Sequence, residues 1–253
     1  MTKTLNLDQT YQQDIREGRK TMYYPEQSYA ETAAGKNVFY RFGKRLFDFI
    51  SSLCVAAILI IPILFVAAMI MIIDPGNPFY MQKRVGMNGK EIKILKFRSM
   101  KLGADCLEKF LTPAQIREYR REFKLRDDPR LIGYKKPGDG NKCFGAFLRR
   151  SNIDELPQIV WNIFLMGDMS VVGPRPILPE ELEKYYDPEE RRLFLSVKPG
   201  LTGYWQAYAR NEATYESGKR QKMELYYIKN RSIWLDMKII FKTFTRLTGK
   251  GAY

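Results

Sequence analysis

The 253-residue chain contains no histidine. Imidazole chemistry is therefore excluded, and any general base or nucleophile must be a carboxylate, Lys, Tyr, Ser, Thr or Cys. Cysteine is scarce as well. Cys54, Cys106 and Cys143 form no C-x-x-C pair, and Cys54 lies in an apolar run, which fits neither a zinc site nor a disulfide framework. Such usage suits the reducing cytosol. No two aspartates stand at D-x-D spacing, the metal motif often carried by nucleotide-sugar glycosyltransferases that move the sugar alone. The glycines of residues 127–145 match neither G-x-G-x-x-G nor a P-loop, so they are given no nucleotide role.

What is present is charge and one long apolar stretch. The net charge is +14, yet residues 1–40 balance five Lys/Arg against five acids, so the excess lies in residues 41–253. A basic body suits anionic partners: nucleic acid, lipid headgroups or phosphorylated substrates. Phe49 to Ile73 is 25 residues without a charge. A nucleic-acid binder would use the charge and the 13% aromatics but would have no need of that run. The run follows some forty polar residues and is too long for a signal-peptide core. Its length reads first as a transmembrane helix. Two features oppose a simple crossing. Pro62 sits near its centre, where a helix breaks or kinks. Basic residues flank both ends, Arg41, Lys44 and Arg45 before and Lys83, Arg84 and Lys90 after, which is best met if both ends stay cytoplasmic. A helix–break–helix that dips into one leaflet, with Ser51 or Ser52 bonding the freed carbonyls, satisfies both; a proline-kinked span is the alternative.

Beyond the turn-rich "DPGNP", two β-prone runs flank Asn88-Gly89, a hairpin signal. Lys96 and Arg98 in the second run share a face at period two, where paired cations can hold a diphosphate. Residues 103–126 read as a charged helix and 127–145 as a loop. "SNIDELPQ" (151–158) places Asp154 and Glu155 after a serine. That spacing predicts a helix from Ser151 to about Met166, capped by Ser151, with both acids at its positive end and Gly167 and Asp168 closing it. Arg175 between two prolines is held stiff and exposed in "VVGPRP". From Ser232, an apolar stripe of Ile233, Met237, Ile240, Phe244 and Leu247 predicts a basic amphipathic helix for core packing or the membrane interface.

Taken in order, the Pro-broken run, "QKRVGMNGKEIKILKFRSMK", "LRRSNIDELPQIVWNIFLMGDMSVVGPRP" and "VKPGLTGYWQAYARN" closely resemble the bacterial sugar transferase family. These are the polyprenyl-phosphate hexose-1-phosphate transferases, or monotopic phosphoglycosyl transferases. The resemblance covers roughly residues 41–248. It implies transfer of a sugar-1-phosphate from a UDP-sugar to a polyprenyl phosphate, usually undecaprenyl phosphate, with release of UMP, as the first membrane step of capsule, exopolysaccharide or glycoprotein glycan assembly. It also implies Mg²⁺ and an Asp-Glu dyad, matched here by Asp154 as nucleophile and Glu155 as metal ligand. The family's basic residues match Lys96, Arg98, Arg149, Arg175 and Arg210.

The expected architecture is α+β and mainly helical: a polar extension over 1–40, a re-entrant membrane helix over 41–77 broken at Pro62, and a cytosolic catalytic domain over 78–253 with a small β-hairpin and interfacial amphipathic helices. The expected location is the cytoplasmic face of a bacterial inner membrane, with no nucleic-acid partner. A non-catalytic basic membrane scaffold is the alternative. The sugar, and whether the chain forms a homo-oligomer, are left open. Three positions depart from the family pattern: the 127–145 loop is longer, Ile61 precedes Pro62 where some relatives have serine, and Ala209 stands where a glycine often precedes the arginine.

Overall fold

The uncharged run lies inside one 36-residue helix, α1 (Val38–Ile73). In the computed structural model, which describes residues 38–122, 125–209 and 217–248, this helix continues through Pro62. The expected break is thus not an interruption of the helix. Proline removes one N–H, that bonding Ile58, and the flanking apolar turns carry on across the defect. Ser51 and Ser52 do not serve the bend either. They donate to the carbonyls of Phe47 (2.6 Å) and Phe49 (3.0 Å), well upstream of Pro62.

The helix is covered at both ends and bare in the middle. Near its start Asp48 and Ser52 are buried, and near its end Ile63, Ala67 and Ile70 are buried on Phe97, Ile132 and Leu148. Between Leu53 and Pro62 only Ala56 and Leu59 are even partly covered.

Next comes the expected hairpin, β1 (Phe79–Val85) and β2 (Glu91–Phe97), antiparallel with Tyr80 opposite Lys96 and Arg84 opposite Ile92. Asn88 and Gly89 both take positive φ, and Lys90 N–H closes the turn onto the Met87 carbonyl, as this dipeptide favours. The charged helix expected over 103–126 is two short ones, α2 (Leu107–Phe110) and α3 (Pro113–Glu122). Pro113 starts a new helix, with Thr112 and Gln115 exchanging backbone bonds in a capping box.

Helix α4 (Phe144–Arg150) leads through a 3₁₀ turn (Ile153–Glu155) into a π-helical segment (Ile159–Leu165), where Met166 N–H reaches the Trp161 carbonyl at 2.8 Å. The chain continues through β3 (Ser170–Val172), α5 (Pro179–Tyr185), α6 (Pro188–Leu195) and β4 (Gly200–Thr202) to α7 (Tyr204–Ala209), α8 (Lys219–Asn230) and α9 (Ile233–Thr248). Strands β3 and β4 pair in parallel, a second small sheet with no sequence signal. The largest apolar cluster, including Val172, Ile177, Leu182, Phe194, Leu195, Leu225, Tyr227 and Ile239, gathers β3, α5, α6, α8 and α9.

Helix α9 buries Asp236 and Ile239 and exposes Ile233, Trp234, Met237, Phe241 and Phe244. Of the two uses open to the stripe, core packing is not the one seen for Ile233, Met237 and Phe244, which face outward, while the inward face includes a polar network. Lys44 of α1 pairs with Asp236 at 2.9 Å, and Tyr227 bonds the same carboxylate at 2.8 Å.

Candidate active site

The hairpin register sets one wall of the site. Residues opposite each other share a face, so Arg84, Ile94 and Lys96 all point the same way. The outer edge of β2 is closed by a side chain: Asn162, fully buried on the π-helical segment, accepts from Leu95 N–H (3.0 Å) and donates to the Lys93 carbonyl (2.8 Å). An amide thus stands in for a neighbouring strand and locks β2 against the segment that follows the dyad.

The dyad is not held as the sequence pattern suggested. Ser151 ends α4 instead of starting a helix, and its hydroxyl donates back to the Phe147 carbonyl at 2.8 Å. Asn152 then takes a left-handed conformation, and Asp154 and Glu155 lie in the 3₁₀ turn. Pro157 explains the difference. It has no N–H to give the Ile153 carbonyl, which takes Leu156 N–H instead (3.1 Å), so the next helix begins at the proline. The predicted end at Gly167, with positive φ, is as observed.

Glu155 faces β2 and pairs with Lys96 at 2.9 Å. Asp154 lies beside it in a shielded position. Burial, and then the neighbouring Glu155, push its carboxyl up to about 6, while Lys96 and Arg149 pull the other way. The positive end of a helix would have favoured the charged form; Asp154 instead lies in a 3₁₀ turn, where desolvation dominates.

Opposite the dyad stands Arg175. Glu155, Lys96 and Arg175 line one cleft together with Arg84, Ile94, Gln158 and Gln206. Asp154 borders it without lining it. The Arg175 loop is braced on both sides: Gly173 N–H donates to the Thr202 carbonyl (2.9 Å), and Gly200 N–H to that of Pro174 (2.8 Å). A Cβ on Gly200 would stand 2.0 Å from the nitrogen of Gly173, so only glycine permits this approach.

The other expected cations divide. Arg149 stands exposed on the last turn of α4. Arg98 is buried away from the cleft, its guanidinium on the carboxylate and carbonyl of Asp74 and its Nε on the Asn77 carbonyl (2.7 Å). It pins the end of α1 to the hairpin. Arg210 lies outside the described residues. Sequence reasoning missed Arg84, Gln158 and Gln206 as cleft residues. For Arg84 the turn signal alone misleads: a two-residue turn at Asn88-Gly89 would set it opposite Lys93, whereas the longer connection observed, with Val85 opposite Glu91, puts it on the Lys96 face.

Among the described residues no three His, Cys, Asp or Glu side chains form a ready metal cage. The adjacent carboxylates of Asp154 and Glu155 still suit Mg²⁺, a hard cation normally held by one or two carboxylates plus substrate phosphates.

Residues 39–250 match the bacterial sugar transferase family, and the chain belongs to it. It is 39% identical to the UDP-galactose-lipid carrier transferase of Erwinia amylovora, over 84% of this chain and 42% of that protein. Against the undecaprenyl-phosphate galactose phosphotransferase of Salmonella typhimurium it is 38% identical, over 84% and 42%. Against the exopolysaccharide production protein ExoY of Rhizobium meliloti it is 38% identical, over 83% and 88%. The chain thus spans about two fifths of the first two relatives and most of the third.

Proposed function

We propose that this chain transfers a sugar-1-phosphate from a UDP-sugar to a polyprenyl phosphate at a membrane surface. The reading is carried by the cleft itself, where Lys96 and Arg175 face Glu155 beside a shielded Asp154 in a member of this family. An Asp154 oxygen attacks the β-phosphorus, and the bond from that phosphorus to the bridging oxygen breaks. The electron pair leaves with UMP. In the second step a phosphate oxygen of the lipid attacks the same phosphorus, the acyl-phosphate bond breaks, and the Asp154 carboxylate returns. Lys96 and Arg84 offset charge on the transferring phosphoryl group, where catalysis of this class mostly lies, and Arg175 binds the diphosphate of the donor. Glu155, with Asp154, would hold Mg²⁺, which supplies further charge neutralisation at the diphosphate.

The membrane reading gains support from α1. It is long and apolar enough to cross a bilayer. Yet both ends are tied to one domain: Lys44 to Asp236 and Asp48 to Val171 N–H at the start, Asp74 to Arg98 at the end. A crossing helix would carry those ends to opposite faces, about 30 Å of hydrocarbon apart. The bare stretch around Pro62 then dips into one leaflet, beside the exposed apolar face of α9.

The test is purified enzyme with a panel of UDP-sugars and no lipid acceptor. The expected result is UMP release near one equivalent, and an intact-mass gain of one sugar-phosphate that maps to Asp154. A strict need for both substrates before any UMP appears, with no trapped adduct, would point to direct attack by the lipid phosphate. Cysteines at positions 42 and 81 should both resist labelling from the periplasmic side; labelling of only one would sink the re-entrant arrangement.

A further inference from the structure

Glu224 is an acid in a place that costs an acid most. Its side chain on α8 is 1% exposed, on a buried helix face shared with Gln221, Leu225, Tyr227 and Ile228. Packing alone would be served better by leucine or methionine, since a buried carboxyl is tolerated only where it meets donors. The donors it meets belong to the cleft. Arg175 lies between Pro174 and Pro176, so its N–H is the only one in that tripeptide, and Glu224 Oε1 accepts it at 3.3 Å. Among the described residues Oε2 has no hydrogen-bond partner, and it is shut from solvent. Two guanidinium groups surround this carboxyl electrostatically, Arg175 and Arg220, and both stand over the ring of buried Trp205, at 5.8 Å and 4.0 Å from its centre. Arg175 also lines the cleft with Lys96 and Glu155.

We propose that Glu224 is a positioning residue for the nucleotide-sugar donor: through the Arg175 N–H, and with Arg220 on Trp205, it fixes the loop that aims the Arg175 guanidinium at the diphosphate. This rests on the transferase reading above. Glu224 does not touch the substrate. Its contribution is to hold a cation whose useful geometry is narrow, where small misplacements cost rate or affinity steeply. Bulk alone does not serve this role, because a methylene chain accepts no hydrogen bond.

The experiment is a double-mutant cycle on the full chain in detergent, read as steady-state UMP release with the best UDP-sugar and undecaprenyl phosphate. Glu224→Met should raise the donor KM by about tenfold or more with kcat within about threefold, the split that marks lost binding geometry instead of lost chemistry. Glu224→Gln keeps an acceptor for the Arg175 N–H and should recover at least half of that loss on a logarithmic scale. In an Arg175→Ala background, neither Glu224 substitution should raise KM further, because residues acting as a unit are not additive. Should Glu224→Met fail to fold, the Glu224→Gln arm decides alone: its smaller KM rise must vanish once Arg175 is alanine. Effects that multiply in the double variant, or a kcat loss at unchanged KM, would overturn the assignment. Wild-type enzyme that releases UMP from no donor would overturn the transferase reading, and this inference with it.

Discussion

The two halves of the cleft are built on opposite plans. The dyad hangs on a short 3₁₀ turn between two helical segments, with the Lys96 pair tying Glu155 to the hairpin. The Arg175 loop is clamped by backbone bonds to β4, by the Val85–Ile177 bond to β1, and by Glu224 from below. On the proposed reading, the groups that would change partners during the reaction sit on a turn, and the cation that would stay still is braced.

If that contrast is right, damage to the dyad should abolish chemistry while sparing the fold, and damage to the backbone clamp of the Arg175 loop should cost stability first. Asp154→Asn should cut turnover by at least about a thousandfold and erase the mass adduct, since an amide is a poor nucleophile. Its melting temperature should not fall, because the substitution removes a shielded charge. A variant that loses activity only as it unfolds would remove the distinction. Gly200→Ala should behave in the opposite way. Its new Cβ collides with the Gly173 backbone, which cannot swing aside as a side chain would, and about 3 kcal/mol or more of stability should be lost. Thermal or urea unfolding reads this directly.

Glu224 gives the brace a pH signature. Burial raises its carboxyl to about 7, with Arg220 and Arg175 opposing. The unfolded chain ionises near 4.5, so between roughly 4.5 and 7 the folded state holds a proton that the unfolded state has released. Stability from this group is therefore fully present below pH 4.5 and is lost as pH rises through 7. The whole loss is at most on the order of 3 kcal/mol. Glu224→Gln should flatten that slope and raise stability at pH 8 relative to wild type, even while it weakens donor binding. Parallel curves for the two proteins would show that the carboxyl is not buried as described.

Legibility in the sequence followed the range of the interactions. The hairpin, and with it Lys96, came from local turn chemistry at Asn88-Gly89. Glu155 and Arg175, picked out through their motifs, come together in one cleft, with Asp154 beside Glu155. The β3–β4 pairing was not legible, because two three-residue strands separated by two helices leave no periodic trace. Arg98 shares the alternation of Lys96, but period two says nothing about a residue past the strand end, and Asp74 claims it. Glu224 was invisible for a different reason. In "KRQKMELYYIKN" a glutamate reads as solvated helix surface, and only the packing of α8 under the Arg175 loop makes it an interior acid. The first 37 residues and Arg210 lie outside the described residues.

The smallest expected effect bears most directly on how the dyad is held. If Ser151 capped a helix bearing the dyad, Ser151→Ala would cost about 1 kcal/mol and loosen both acids. In the structure its hydroxyl only returns to the carbonyls of Phe147 (2.8 Å) and Leu148 (3.2 Å), at the solvent end of a helix that precedes the dyad. Those carbonyls have water available in its absence, so the substitution should cost less than about 0.5 kcal/mol, as ordinary surface changes do. Turnover should stay within about twofold of wild type. Asn152→Ala is the matching control. Asn152 holds positive φ immediately before the dyad turn, a conformation that alanine adopts at a cost of about 1 kcal/mol. That strain lies in the backbone leading to Asp154. The pair should therefore rank Asn152→Ala above Ser151→Ala in lost stability. The reverse order would restore the serine as the cap and return the dyad to an ordinary helix start.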